Sequence, residues 1–213
     1  MRLAPEDRQA SLLIASGTFM IAAGLTCWWF GIDWRLHYSL HLSPGLAPLI
    51  VRLTALGGAA IMIPVGFVGL AFLIAQKRRA DAAWLFLTLA IGRLGIEGIK
   101  LVLSRPRPPV ADWLDHVTSS SFPSSHSAGT MMTCVALALL FGRGDGAILI
   151  ALLAALFIGW TRVALGVHWP SDVMAGWGIG LVWIGLAMSV RNAIAPVELD
   201  DGSALAEPDE GRP

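Results

Sequence analysis

Charge is scarce in this chain. Only 14% of its 213 residues are Asp, Glu, Lys or Arg, while 55% are hydrophobic. An ordinary soluble domain carries about 25% charged residues, so this composition excludes one and predicts an integral membrane protein. The 15 basic and 15 acidic residues cancel to a formal charge of zero, and no overall basic field points to nucleic acid. Cysteine is nearly absent. Cys27 and Cys134 each sit inside an apolar run, where pairing would need two helices to touch at one depth, so both are expected as free, packed thiols. No Cys or acidic cluster accompanies His37 and His41, which read as surface histidines rather than metal ligands. A cleaved leader is not expected either. Thr26 before Cys27 fits a lipoprotein cleavage box poorly, and Glu6 and Asp7 fall where a leader carries positive charge.

Long uncharged runs take the place of charge. Residues 11–30 contain none, and twenty helical residues at about 1.5 Å each cross a hydrocarbon core of about 30 Å. Uncharged runs at 53–75, 128–141 and 173–190, with apolar runs at 82–103, which carries Arg93, Glu97 and Lys100, and at 147–165, interrupted only by Arg162, bring the expected number of spans to six. Trp28, Trp29 and Trp34 form an aromatic belt after the first, and residues 33–48 read as a loop or interfacial segment. Three consecutive cations, Lys77, Arg78 and Arg79, mark the second connection as cytoplasmic. Six spans then put both termini inside and the first, third and fifth connections outside. Residues 1–195 are expected as one transmembrane domain, and the acidic, Pro- and Gly-containing stretch 196–213 as a disordered tail.

Polar chemistry concentrates in three places, all on those outer connections. Thr161 to Asp172, TRVALGVHWPSD, sets Arg162, His168 and Asp172 at fixed intervals where an apolar run ends. An imidazole whose far nitrogen donates to a carboxylate is held in one tautomer, as a nitrogen nucleophile or general base requires, and Arg162 could grip an oxyanion. Alone, the stretch equally fits an interfacial histidine followed by a helix-capping aspartate. Lys100 to Pro108, KLVLSRPRP, gathers three cations behind the third span. Lys100 lies one turn beyond an expected Arg93–Glu97 pair, toward Arg105 and Arg107, and is better placed to meet an anion than to pair with Glu97. Pro123 to His126, PSSH, opens the fourth span, with Ser124 or Ser125 as its N-cap. A helix N-terminus supplies unpaired N–H groups to a phosphate.

In order, these stretches read K-x6-RP, PSSH and R-x5-H-x3-D. That order and spacing resemble the three-part signature of the type 2 phosphatidic acid phosphatase superfamily, usually K-x6-RP, PSGH and SR-x5-H-x3-D. Ser125 stands where the family usually has Gly, and Thr161 where it usually has Ser. The resemblance implies an all-α, six-helix transmembrane bundle with a phosphatase site at its outer face. By it, His168 is the nucleophile that forms a phosphohistidine, Asp172 orients and stabilises it, and His126 protonates the leaving oxygen. Lys100, Arg107, Ser124, Ser125 and Arg162 would bind the phosphate, with no metal and no cofactor. The substrate would be a lipid phosphate, such as phosphatidate, phosphatidylglycerol phosphate, a polyprenyl diphosphate or a lipid A phosphate. The expected partners are membrane lipids and not nucleic acid, and the expected setting is a bacterial inner membrane with the site facing the periplasm or exterior. A lipid-phosphate binding or transport protein is the alternative, although binding alone needs only the cations. A vanadate-dependent haloperoxidase shares the residues but is generally soluble.

Overall fold

The computed structural model describes residues 5–194, and these form eight α-helices with two 3-10 turns. The helices are α1 (Pro5–Trp29), α2 (Ile32–Leu40), α3 (Ala47–Ala55), α4 (Ala59–Ala75), α5 (Arg79–Leu103), α6 (Ser125–Phe141), α7 (Asp145–Ala164) and α8 (Pro170–Ile194). The expected tail, 196–213, lies outside the described residues. Among the described residues, four stretches are long and apolar enough to cross a membrane: Asp7–Trp29, Pro44–Ala75, Asp145–Ala164 and Pro170–Asn192. The apolar α6 is shorter, at 17 residues, and the 25-residue α5 carries Arg93, Glu97 and Lys100. Phe19, Val68, Leu94, Leu101 and Ile150 are exposed on the outside of the bundle, the arrangement expected of side chains facing lipid. The molecule is an all-helical integral membrane protein.

Hydropathy alone sees no interruption across Pro44–Ala75, but the helix breaks at Leu56–Gly58. The second run therefore does not start a single helix at residue 53; Leu53 belongs to α3. Gly57 sits at the break against Thr130 of α6 and Ile158 of α7, where a β-carbon would approach the Ile158 side chain to 2.2 Å. The freed Gly57 carbonyl accepts from Thr130 Oγ1 at 3.3 Å, which satisfies part of what the break exposes. The segment 33–48, expected as a loop or interfacial segment, is helical in its first part. It holds α2, and its histidines are not surface groups: His37 is fully buried with Nε2 3.3 Å from Asp112 Oδ2, and His41 Nε2 lies 2.7 Å from the Asp112 carbonyl.

Apolar burial drives little association inside lipid, so helices join through close packing. Glycines supply it along α8. A β-carbon on Gly178 would lie 2.5 Å from the Gly17 carbonyl of α1, and one on Gly185 would lie 2.9 Å from the Ala10 carbonyl. Gly176 and Gly180, one turn apart, face α6 instead, meeting Ser124 and Met131. α8 thus touches backbone on two sides, and Met131, Met132, Val135 and Ile184 fill the buried centre.

The two ends of the bundle differ in chemistry. At one end Arg78 donates to Asp81 and to the Leu140 carbonyl, Arg191 donates to Asp81, and Asn192 reaches Asp7. These contacts gather the start of α1, the α4–α5 connection and the ends of α6 and α8. The opposite end carries all three motifs. There Ala47 and Ile50 of α3 pack on Leu165 and Val167, and the Leu42 and Leu114 amides donate to the carbonyls of Ala164 and Leu165, each at 2.9 Å. The long connections are pinned onto the turn between α7 and α8.

Candidate active site

Ser124 begins the site by capping α6. Its Oγ accepts from the Ser127 amide at 3.4 Å, and its own amide donates to the Asp172 carbonyl at 3.0 Å, which ties the start of α6 to the start of α8. Ser125 Oγ donates to Glu97 Oε1 at 2.9 Å. Glu97 is therefore engaged by α6 and forms no ion pair with Arg93, contrary to the spacing-based expectation. His126 follows in the first turn, half-buried, beside the α3–α4 break, where a β-carbon on Gly58 would meet its Nε2 at 3.4 Å.

Arg162 lies in the last turn of α7 and is 1% exposed. Its Nη1 donates to Asp115 Oδ2 at 2.8 Å and to Thr54 Oγ1 at 3.3 Å, while its Nε has no partner. The chain then turns at Gly166, whose φ of +72° suits glycine and whose missing β-carbon leaves room for the Asp112 carbonyl. The turn delivers His168 to the interior, 2% exposed, with Nδ1 3.4 Å from Asp172 Oδ2. That approach is electrostatic rather than an aligned hydrogen bond, for Nδ1 has no hydrogen-bond partner. Burial first, then the charges of Arg107, Arg162 and Lys100, hold His168 well below its ordinary pKa. Its imidazole is neutral at physiological pH, with a lone pair available for attack.

Lys100 Nζ donates to the Ser120 carbonyl at 2.7 Å. Arg107 reaches the Ser119 carbonyl through Nε at 2.7 Å and the Val167 carbonyl through Nη1 at 2.5 Å. Burial and the neighbouring Arg162 bring the Arg107 guanidinium down to about 10, so it remains cationic at neutral pH. Both side chains rest on neutral carbonyls rather than carboxylates. Their charge is positioned without being cancelled, which leaves a field suited to an anion. Arg107 reaches the carbonyl of Val167, next to His168, and the Ser124 amide holds the Asp172 carbonyl, so the three motifs meet at one end of the bundle.

Two residues at its base were not identified from sequence as functional. Arg105 is buried and donates through Nη1 to Asp172 Oδ1 at 2.5 Å and Ser171 Oγ at 2.6 Å, and through Nη2 to Asp33 Oδ2 at 2.7 Å. Asp33 in turn accepts from the Ser171 amide at 2.9 Å and from Ser171 Oγ at 2.6 Å. The guanidinium stacks 4.1 Å from the Trp28 ring. Asp172 Oδ2 accepts from Ser121 Oγ and the Trp169 amide, so the carboxylate beside His168 is held on all sides. One signal was present in the sequence: Asp33 is an isolated acid just after the first span, and an acid beside a membrane run calls for a partner.

A buried histidine beside a fixed carboxylate, with a second histidine and three cations nearby, gives this membrane protein a polar end whose field favours an anion. A family model, the PAP2 superfamily, matches residues 81–195, and the chain belongs to that superfamily. Among curated proteins it is 34% identical over 117 residues to a lipid A 1-phosphatase of Rhizobium johnstonii, covering 51% of this chain and 46% of that protein. It is 30% identical over 147 residues to phosphatidylglycerophosphatase B of Bacillus subtilis, covering 65% of this chain and 72% of that protein. The chain thus spans about half the length of the lipid A 1-phosphatase it matches. The crystal structure of a transmembrane PAP2 type phosphatidylglycerolphosphate phosphatase from Bacillus subtilis superposes with a TM-score of 0.75 at 24% identity, over 89% of this chain and 98% of that one, which establishes the fold.

Proposed function

We propose that this protein is a membrane lipid phosphatase that hydrolyses a phosphomonoester or diphosphate through a phosphohistidine. The observation that carries the reading is His168, neutral and buried against Asp172 within reach of three uncancelled or partly cancelled cations. Nδ1 faces Asp172, which leaves Nε2 as the attacking atom. As Nε2 bonds to phosphorus, the P–O bond to the leaving group breaks and that oxygen takes a proton from His126; the arriving phosphate favours the protonated form of this histidine. Lys100, Arg107 and Arg162 balance charge on the equatorial oxygens, with the α6 N-terminus at Ser124 and Ser125 beside them. Asp172 supports the imidazolium that forms. Water then gives a proton to His126 and attacks phosphorus, and the N–P bond breaks to release phosphate and restore His168.

The same reading gives six crossings, made by α1, the broken α3–α4 segment, α5, α6, α7 and α8. Contacts joining the Lys77–Arg79 connection to the ends of α6 and α8 support a cytoplasmic end opposite the site. The site then faces the periplasm from the inner membrane of a bacterium. The test is phosphate release from lipid phosphates by purified protein in detergent. Release should persist in EDTA, stop with vanadate, and fall to background in His168→Ala that remains monodisperse. A folded His168→Ala enzyme near wild-type rate, or a strict need for added Mg²⁺, sinks the mechanism. Vanadate-dependent halide oxidation would redirect it to the haloperoxidase chemistry.

A further inference from the structure

A second polar group lies deeper in the bundle, outside the phosphate site. The Arg93 guanidinium, on α5, has a buried Nη2 without a hydrogen-bond partner, and Glu97 one turn away is already engaged by Ser125. The guanidinium rests over Gly129 of α6, where a β-carbon would come within 3.1 Å of Nη2. Gly129 is three residues beyond His126, so the Arg93 head sits about 4.5 Å further into the membrane than the proposed proton donor. It also lines a cavity of about 350 Å³ with Met62, Gly66 and Phe67 of α4, Leu89 of α5 and Thr133 of α6. Every other α4 and α5 side chain in that lining is apolar, and Phe67, Phe86 and Leu94 on its rim are exposed on the lipid side. Arg93 and Met62 mark the end nearest the phosphate site; Leu70 and Leu85 mark the far end. From Leu85 to Arg93 the groove runs about 12 Å along α5, room for much of an acyl chain.

An unpaired guanidinium at that depth is costly against hydrocarbon and favourable against a hydrogen-bond acceptor. Resting on the phosphatase reading, we infer that the α4–α5 groove holds the leaving group's acyl chain and that Arg93 donates to an acyl carbonyl a few bonds from the phosphoester oxygen. A diacylglycerol phosphate or an N-acylated amino-sugar phosphate places a carbonyl at that depth. A polyprenyl phosphate places hydrocarbon there. Arg93 is thus a specificity-determining residue that selects acylated over isoprenoid lipid phosphates.

The experiment compares kcat/KM of the purified full chain on diacyl phosphatidate, its dialkyl ether analogue, an N-acylated glucosamine phosphate and a polyprenyl phosphate. The wild type should favour the carbonyl-bearing lipids by roughly tenfold over the ether and polyprenyl ones, the loss expected for a hydrogen bond to a charged group. Arg93→Met should erase the preference through KM, lowering only the carbonyl-bearing lipids, and Arg93→Lys should restore part of it. Hydrolysis of p-nitrophenyl phosphate should stay within about twofold in both variants, which separates a specificity role from loss of fold. Preference for only one of the two acylated lipids would identify that one as the source of the carbonyl. Equal rates on ester and ether lipids in the wild type, or an undiminished preference in Arg93→Met, overturn the inference. If no lipid phosphate is turned over, the phosphatase reading fails by itself. Titration of non-hydrolysable diacyl and dialkyl phosphonates then decides the Arg93 role: tighter diacyl binding that Arg93→Met abolishes supports it, and equal affinities refute it.

Discussion

Methionine in place of Arg105 would leave two buried carboxylates without the cation that bridges them. Asp33 is 3% exposed and Asp172 is fully buried, so neither can recover the lost charge by turning to water. Removing one partner of a buried ion pair typically costs about 3–5 kcal/mol, and here one guanidinium serves two acids as well as stacking on Trp28. For a chain of this length that corresponds to a fall in Tm on the order of 10 °C. Asp33→Asn should cost much less, because Arg105 stays paired with Asp172 and the amide oxygen can still accept from Ser171. Combining the two changes removes one acid along with the base, so the double variant should be more stable than the sum of the single losses predicts. Loss of the monodisperse peak on heating in detergent, read by size-exclusion chromatography, measures all three. An Arg105→Met protein within about 2 °C of wild type, or strictly additive losses, would refute the buried-network argument.

His126→Ala removes the proposed proton donor and should slow lipid phosphate turnover by about 10²- to 10⁴-fold, while phosphoryl transfer from p-nitrophenyl phosphate, whose leaving oxygen needs little help, is largely spared; equal losses on both substrates would argue against the assignment. In a protein freed of Cys27 and Cys134, a membrane-impermeant thiol reagent applied to intact cells should label Ala111→Cys and miss Gln76→Cys, both exposed positions at opposite ends of the bundle. The reverse pattern would invert the topology.

Much of the architecture is legible in the sequence because run length and charge report directly on membrane depth. The spacing of Lys100, Arg107, His126, Arg162, His168 and Asp172 was equally legible, since those residues sit at helix ends where register converts simply into position. Asp33 and Arg105 were not, for they meet across 72 residues, and no local pattern encodes such a pairing. The break at Gly57 does not show in hydropathy, which averages through it, although glycines in that run permit a kink. The Arg93–Glu97 expectation failed for a related reason. Spacing of i, i+4 finds groups able to pair but not the competitor on another helix, which here is Ser125.

The glycine contacts between α1 and α8 carry a mechanical consequence. Backbone lying on backbone has no rotamers through which to yield, so that flank resists both sliding and rolling, and it is the flank from which Asp172 projects. Across the bundle, α4 is broken from α3 at Gly57 and borders an apolar groove rather than a filled seam. Compliance is therefore distributed unevenly. On the proposed reading, the imidazole that reacts is mounted on the stiff half, and the wall proposed to take up acyl chains belongs to the pliant one.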